Sequence, residues 1–113
     1  MSWDVELVKD GNPVVVNSHQ EGTIIACGGM CSAEMGITYN YSALFRDALG
    51  FGFREMNGER AGDVIPQLEK AVVTLGTEKD HDYWAATPGN AGHALSVLLG
   101  WCKQHPDATI EIV

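Results

Sequence analysis

Trp84-Ala85-Ala86-Thr87-Pro88-Gly89-Asn90-Ala91-Gly92-His93 reads as the approach to, and first turn of, the longest helix in the chain. Thr87 suits the N-cap, where its hydroxyl accepts from an otherwise unpaired amide one turn on. Pro88 takes the first helical position, where its missing N–H costs nothing and its fixed φ suits the helix. From there Ala91, Ala94, Leu95, Leu98, Trp101 and Cys102 form an apolar stripe at helical spacing, which carries the helix to about Gln104. His105-Pro106-Asp107 stops it and leaves residues 108–113 as a final strand.

Working outward from this helix, residues 3–8 alternate, with Trp3, Val5 and Leu7 on one side and Asp4, Glu6 and Val8 on the other, as in a half-buried strand. Asp10-Gly11-Asn12-Pro13 is a turn signal, and Val14 to Val16 return as a second strand, giving an N-terminal hairpin. Residues 23–27 predict a third strand, and Gly28-Gly29 open an irregular or bulged stretch through Gly36. Ile37-Thr38-Tyr39-Asn40-Tyr41 alternates and predicts a fourth strand; Ser42 then caps a short helix that Gly50 ends in the left-handed position. Residues 51–60 are a connection with an Asn57-Gly58 turn. Asp63 opens a second helix, with Pro66 tolerated in its first turn and Gly76 closing it. Residues 77–86 form a long polar loop, of the kind that is disproportionately functional.

The sum is an α+β fold in a single domain over residues 1–113: an antiparallel sheet from the N-terminal half plus a C-terminal strand, with three helices packed on one face. The last strand either joins the sheet at an edge or crosses to a partner subunit.

Composition sets the function classes. With 45% hydrophobic and 19% charged residues the chain is globular, not disordered. No apolar run approaches the ~18 residues that span a bilayer, and Met1-Ser2-Trp3-Asp4 has neither the basic nor the apolar region of a signal peptide. The expectation is therefore no membrane association and residence in the cytoplasm. Seven basic against fifteen acidic residues give a net charge of −8, without the Lys/Arg cluster that nucleic-acid binding needs. Cys27, Cys31 and Cys102 imply no disulfide framework. Cys27 and Cys31 with His19 fall short of the four ligands of a zinc site, so small buried thiols are expected, with no metal and no cofactor.

Thr38-Tyr39-Asn40-Tyr41-Ser42, together with Trp84, Thr87-Pro88-Gly89-Asn90-Ala91-Gly92 and the opening Trp3-Asp4-Val5-Glu6-Leu7, resembles a family of small bacteriophage and prophage proteins. The resemblance covers nearly the whole chain. It implies a viral or viral-derived accessory protein acting in the host bacterial cytoplasm, and it carries over no catalytic residues.

Three groups of residues are candidates for a site. Gly89 and Gly92 leave the helix start almost bare, with exposed amides and a partial positive charge suited to a phosphate or carboxylate; Thr87 and Asn90 add hydrogen-bonding groups, and Tyr83 and Trp84 lie just upstream. The plainer reading is that the glycines let another element pack closely. Tyr39, Asn40 and Tyr41 can flank a base or sugar, with Arg46, Arg54 and Arg60 as charge partners; the plainer reading is a pair of sheet tyrosines, a turn asparagine and a solvated basic face. Asp80-His81-Asp82 with His93 is the one cluster resembling an acid–base set, His93 serving as general acid if a phosphoester were cleaved. No nucleophile, metal or phosphate-loop signature accompanies it.

Two functions of different class follow, with a small phosphoester-cleaving enzyme as a third. One is a non-catalytic protein binding a small anionic, nucleotide-like ligand at the helix start and sequestering a host defence signal, with the pocket completed in a homo-oligomer. The other is an acidic protein-interaction module that inhibits a basic host protein, using charge to steer the encounter.

Overall fold

The computed structural model describes residues 2–18, 29–82 and 85–113. The strand expected at 23–27 falls outside them, as do His19, Cys27, Tyr83 and Trp84. In chain order the elements are β1 (Ser2–Lys9), β2 (Asn12–Pro13), β3 (Val15–Ser18), β4 (Gly29–Ser32), β5 (Glu34–Thr38), α1 (Ser42–Leu49), α2 (Ala61–Leu75), α3 (Pro88–Gln104) and β6 (Thr109–Ile112); 3-10 turns occupy Tyr39–Tyr41 and Phe53–Met56.

β1 is the centre of the sheet. It pairs antiparallel with β5 along one edge and with β6 along the other, and β2 folds back on its far end. The hairpin closes through Asp10 and Gly11, both left-handed at φ 54° and 82°, the turn chemistry that Asp-Gly supplies. The strand expected at Val14 to Val16 does not form the hairpin with β1: Asn12–Pro13 pairs there instead, and Val15–Ser18, β3, forms a separate antiparallel ribbon with β4. The last strand therefore joins its own sheet, with Val5 opposite Ile112 and Val8 opposite Thr109. Its outer edge is covered: Gly58 N donates to Ile110 O at 2.7 Å, Ile110 N to Glu59 O at 2.9 Å, and Ile112 N to the Asn57 side chain at 2.8 Å.

The alternation of β1 places Trp3, Val5 and Leu7 on the inner face, where they meet Met35, Ile37, Ile110 and Ile112, all buried. The helices lie over that face, α3 packing along α2 and burying Ala91, Ala94, Leu95, Leu98, Trp101 and Cys102. The result is the α+β architecture: an antiparallel sheet from the N-terminal half and the C-terminal strand, with three α-helices among the described residues.

Further local expectations change. Residues 37–41 are not one strand; β5 stops at Thr38, whose hydroxyl accepts from Asn40 N at 3.2 Å, while Ser42 Oγ donates to Tyr39 O at 2.6 Å. These side-chain bonds turn the chain into a 3-10 turn that enters α1 directly. Residues 29–36 are ordered as two strands broken at Ala33, whose N–H goes to Val14 O at 2.8 Å. α2 begins at Ala61, ahead of Asp63, because Ala61 N and Gly62 N donate to the Ala108 and Pro106 carbonyls, each at 2.8 Å. That tertiary contact satisfies helix-start amides which Asp63 was expected to begin. Pro66 thus sits in the second turn of the helix, not the first.

Candidate functional site

At the start of α3 the capping chemistry forms as the residues dictate. Thr87 is the N-cap, its Oγ1 accepting from Asn90 N at 3.1 Å, and Pro88 is the first helical residue. The bare first turn, however, is not open on all sides. A Cβ at Gly89 would lie 1.8 Å from the Glu78 carbonyl oxygen, and one at Gly92 would lie 1.7 Å from that of Gly76. The chain leaving α2 is laid directly on the two glycines, a close backbone approach that only a missing side chain permits.

Asn90 fixes that loop from within. Only 5% exposed, it accepts from Asp80 N at 2.8 Å through Oδ1 and donates through Nδ2 to Asp82 O at 3.1 Å and Ala85 O at 3.0 Å. Asp80 in turn accepts from Asp82 N at 2.8 Å. The described part of the long polar loop is therefore a folded strap around one amide side chain. Asn90→Ala is expected to cost about 2 kcal/mol through the lost bonds. Hydrogen exchange checks it: the Asp80 amide should speed up far more than amides in the middle of α3.

A hollow of about 480 Å³ does remain beside the strap, between the end of α2 and the start of α3. Thr87, Pro88 and Gly89 line one side of it, with Gly76, Glu78, Lys79 and Asp80 across from them. The Gly89 amide has no acceptor among the described residues. A bound anion would meet that donor, the positive end of α3 and Lys79, and also two carboxylates.

The other sequence candidates lie elsewhere. Tyr41 is 1% exposed and packs edge-on to Phe45 at 5.8 Å, while Tyr39 rests on Trp3 at 4.9 Å with 38% of its surface free. Asn40 and Arg46 are exposed on the turn and on α1. None of these four lines the hollow, and neither does His93. His93 is half-buried, and its Nε2 is buried without a hydrogen-bond partner. Burial, and secondarily the Lys79 charge, hold its pKa below the usual histidine value. The ring is thus neutral at pH 7. Its contribution to stability is full above the unfolded value of about 6.5 and is lost as the pH falls below it through the lower folded value, because the unfolded chain takes up the proton first. Cys102 is buried, and burial pushes its thiol up to about 12, so it is an inert core residue. Among the described residues no group of three or more His, Cys, Asp or Glu side chains is placed to hold a metal ion.

A second arrangement became visible only with the strand register. On the outer face of the sheet Glu6 stands directly opposite Glu34 on β5 and directly opposite Glu111 on β6. Asp4, two residues along β1, is on the same face, opposite Gly36. Three carboxylates therefore run side by side across three strands. Like charges in that relation are destabilising. Partial burial, then Glu34, Glu111 and Asp4, raise the Glu6 carboxyl above its ordinary value. Next to the row, Gly36 leaves a notch of about 330 Å³ bounded by Asp4, Glu6 and Glu34. Composition signalled the acidity; only pairing could place it.

No described helix is long and apolar enough to cross a membrane. Comparison with protein families, curated proteins and solved structures finds no match to this chain.

Proposed function

We propose that this protein is a non-catalytic interaction module that captures a basic segment of a partner protein on the outer face of its sheet. The observation that carries this reading is the Glu34–Glu6–Glu111 row with Asp4 beside it. An arrangement that costs stability in the free protein is relieved when a Lys or Arg side chain docks against it. The net charge of −8 adds a long-range field that speeds encounter with a basic partner. In the setting implied by the resemblance to small phage proteins, the partner is a host protein and the module its inhibitor.

The row has a signature in the free protein. The folded form holds the Glu6 proton more tightly than the unfolded chain. Below the unfolded carboxyl pKa the destabilisation is absent, and it sets in as the pH rises through the raised folded value. Glu6→Gln is expected to stabilise the protein by about 0.5 kcal/mol at neutral pH and by nothing measurable below about pH 4. Urea denaturation at the two pH values checks this. For binding, the probe is a short capped peptide alternating lysine and threonine, titrated by calorimetry. Its affinity should fall with added salt, and by about tenfold or more in the E6Q/E34Q/E111Q variant. Equal affinity for both proteins would overturn the reading.

A second reading is favoured by the hollow at the start of α3: a small anionic, nucleotide-like ligand held on the Gly89 amide. Glu78 and Asp80 on its wall oppose it. A thermal-shift series of mono-, di- and cyclic nucleotides tests this, stabilisation by one class supporting it. Substitution of Gly89 is no test, since any Cβ there collides with the Glu78 carbonyl whether or not a ligand binds.

A further inference from the structure

We infer that the partner's basic segment binds as an added β-strand along the edge of β5 that no described residue covers, with its Lys or Arg side chains on the acidic face. This rests on the acidic-face reading above and specifies how that face is used. Leu7 N donates to Ala33 O at 3.0 Å, which sets the phase of the β1–β5 ladder: odd-numbered residues of both strands exchange hydrogen bonds. The N–H and C=O groups of Glu34 and Gly36 therefore point away from β1. Among the described residues nothing pairs with them.

The two edges of the sheet are treated differently. Asn57, Gly58 and Glu59 cap the outer edge of β6 with three hydrogen bonds, whereas the β5 edge carries no such cover among the described residues. An uncovered edge is a template for another strand. Charge selects the occupant. Side chains of an incoming strand alternate between faces, so those on the outer face would stand beside Glu34 and over the Gly36 notch, next to Glu6 and Asp4. Basic side chains gain there. A second copy of this chain pairing through its own β5 would instead bring Glu34 and its acidic neighbours toward their counterparts, a like-charge arrangement. The glycine at 36 suits the same purpose, because an interior strand glycine leaves room for close approach.

The test compares two capped peptides of one composition, one alternating lysine and threonine and the other with its lysines in one block. A strand presents every lysine of the first to a single face, and of the second to both. The alternating peptide should bind about tenfold tighter, and at saturation the Glu34 and Gly36 amides should exchange at least tenfold more slowly, by the same relation. Methylating its backbone nitrogens on alternate residues should abolish binding in one of the two phases. If both peptides bind equally and the two amides exchange as before, strand addition is wrong while the acidic face still binds. If neither peptide binds, the acidic-face reading falls with it. If the amides become protected on raising protein concentration alone, the edge belongs to a second copy, and the inference is overturned.

Discussion

Gly92→Ala is expected to unfasten the strap at the start of α3 and to be among the most damaging single-methyl additions in the chain. The added Cβ would lie 1.7 Å from the Gly76 carbonyl oxygen and 3.0 Å from Leu75 Cβ. The first contact is backbone, at the residue that closes α2 at φ 77°, so no side chain can rotate out of the way. Either α2 and α3 separate at this end or the 76–80 segment lifts off. Overpacking of this kind costs about 3 kcal/mol, or roughly 10 °C in melting temperature for a domain near this size. Gly100→Ala is the control: a Cβ there meets nothing within 4 Å, and alanine is the better helix former. A melt in which Gly92→Ala and Gly100→Ala behaved alike would mean that the end of α2 does not approach α3 this closely at Gly92.

Phe45→Ala is expected to cost about 4 kcal/mol, a large part of the ~5–15 kcal/mol that holds a domain folded. Phe45 is fully buried and lies 4.9 Å from Phe53, 5.8 Å from Tyr41 and 5.9 Å from Trp3, ring centre to ring centre. It joins α1, the 3-10 turn before it, the turn at 53–56 and the start of β1. No other residue of this group reaches all three partners, since Trp3 also touches Phe53 at 4.8 Å but Tyr41 meets only Phe45 among these pairs. Removal leaves a cavity bounded by rings that cannot collapse into it. Urea denaturation should show a lower midpoint with an unchanged slope. A change within about 0.5 kcal/mol, as at an exposed position, would contradict the packing.

Both effects bear on how much the residues disclosed beforehand. Where one local interaction decides, the sequence was legible: Thr87 and Pro88 start α3, Gly50 ends α1 at φ 84°, and Asp10-Gly11 turn the hairpin. Period-two alternation correctly placed Trp3, Val5 and Leu7 on the core side. The same signal misled at Tyr39–Tyr41, where hydroxyls of Thr38 and Ser42 bend the backbone while the apolar pattern stays the same. Contacts between distant residues left no trace. Nothing near Gly92 announces the Gly76 carbonyl, and nothing near Ala61 announces the Pro106 turn that starts α2 early. Asn90 looked like a ligand-binding group because a polar residue on a helix start suits either role; its three bonds to the strap use the donors and acceptor that a ligand would need.

The acidic row is the clearest case. Glu6, Glu34 and Glu111 are spread along most of the chain, and a shift of one residue in either pairing would have sent their side chains to opposite faces. Register converts an overall charge into a surface.

The most direct measurement is a backbone amide map of the protein titrated separately with the alternating lysine–threonine peptide and with ADP. The outer-face reading predicts that the peptide moves the amides of Asp4, Glu6, Glu34, Gly36 and Glu111 to saturation, while ADP leaves Gly76–Asp80 and Gly89 where they were. Saturable ADP shifts at the start of α3, with no response on the sheet to the peptide, would contradict it.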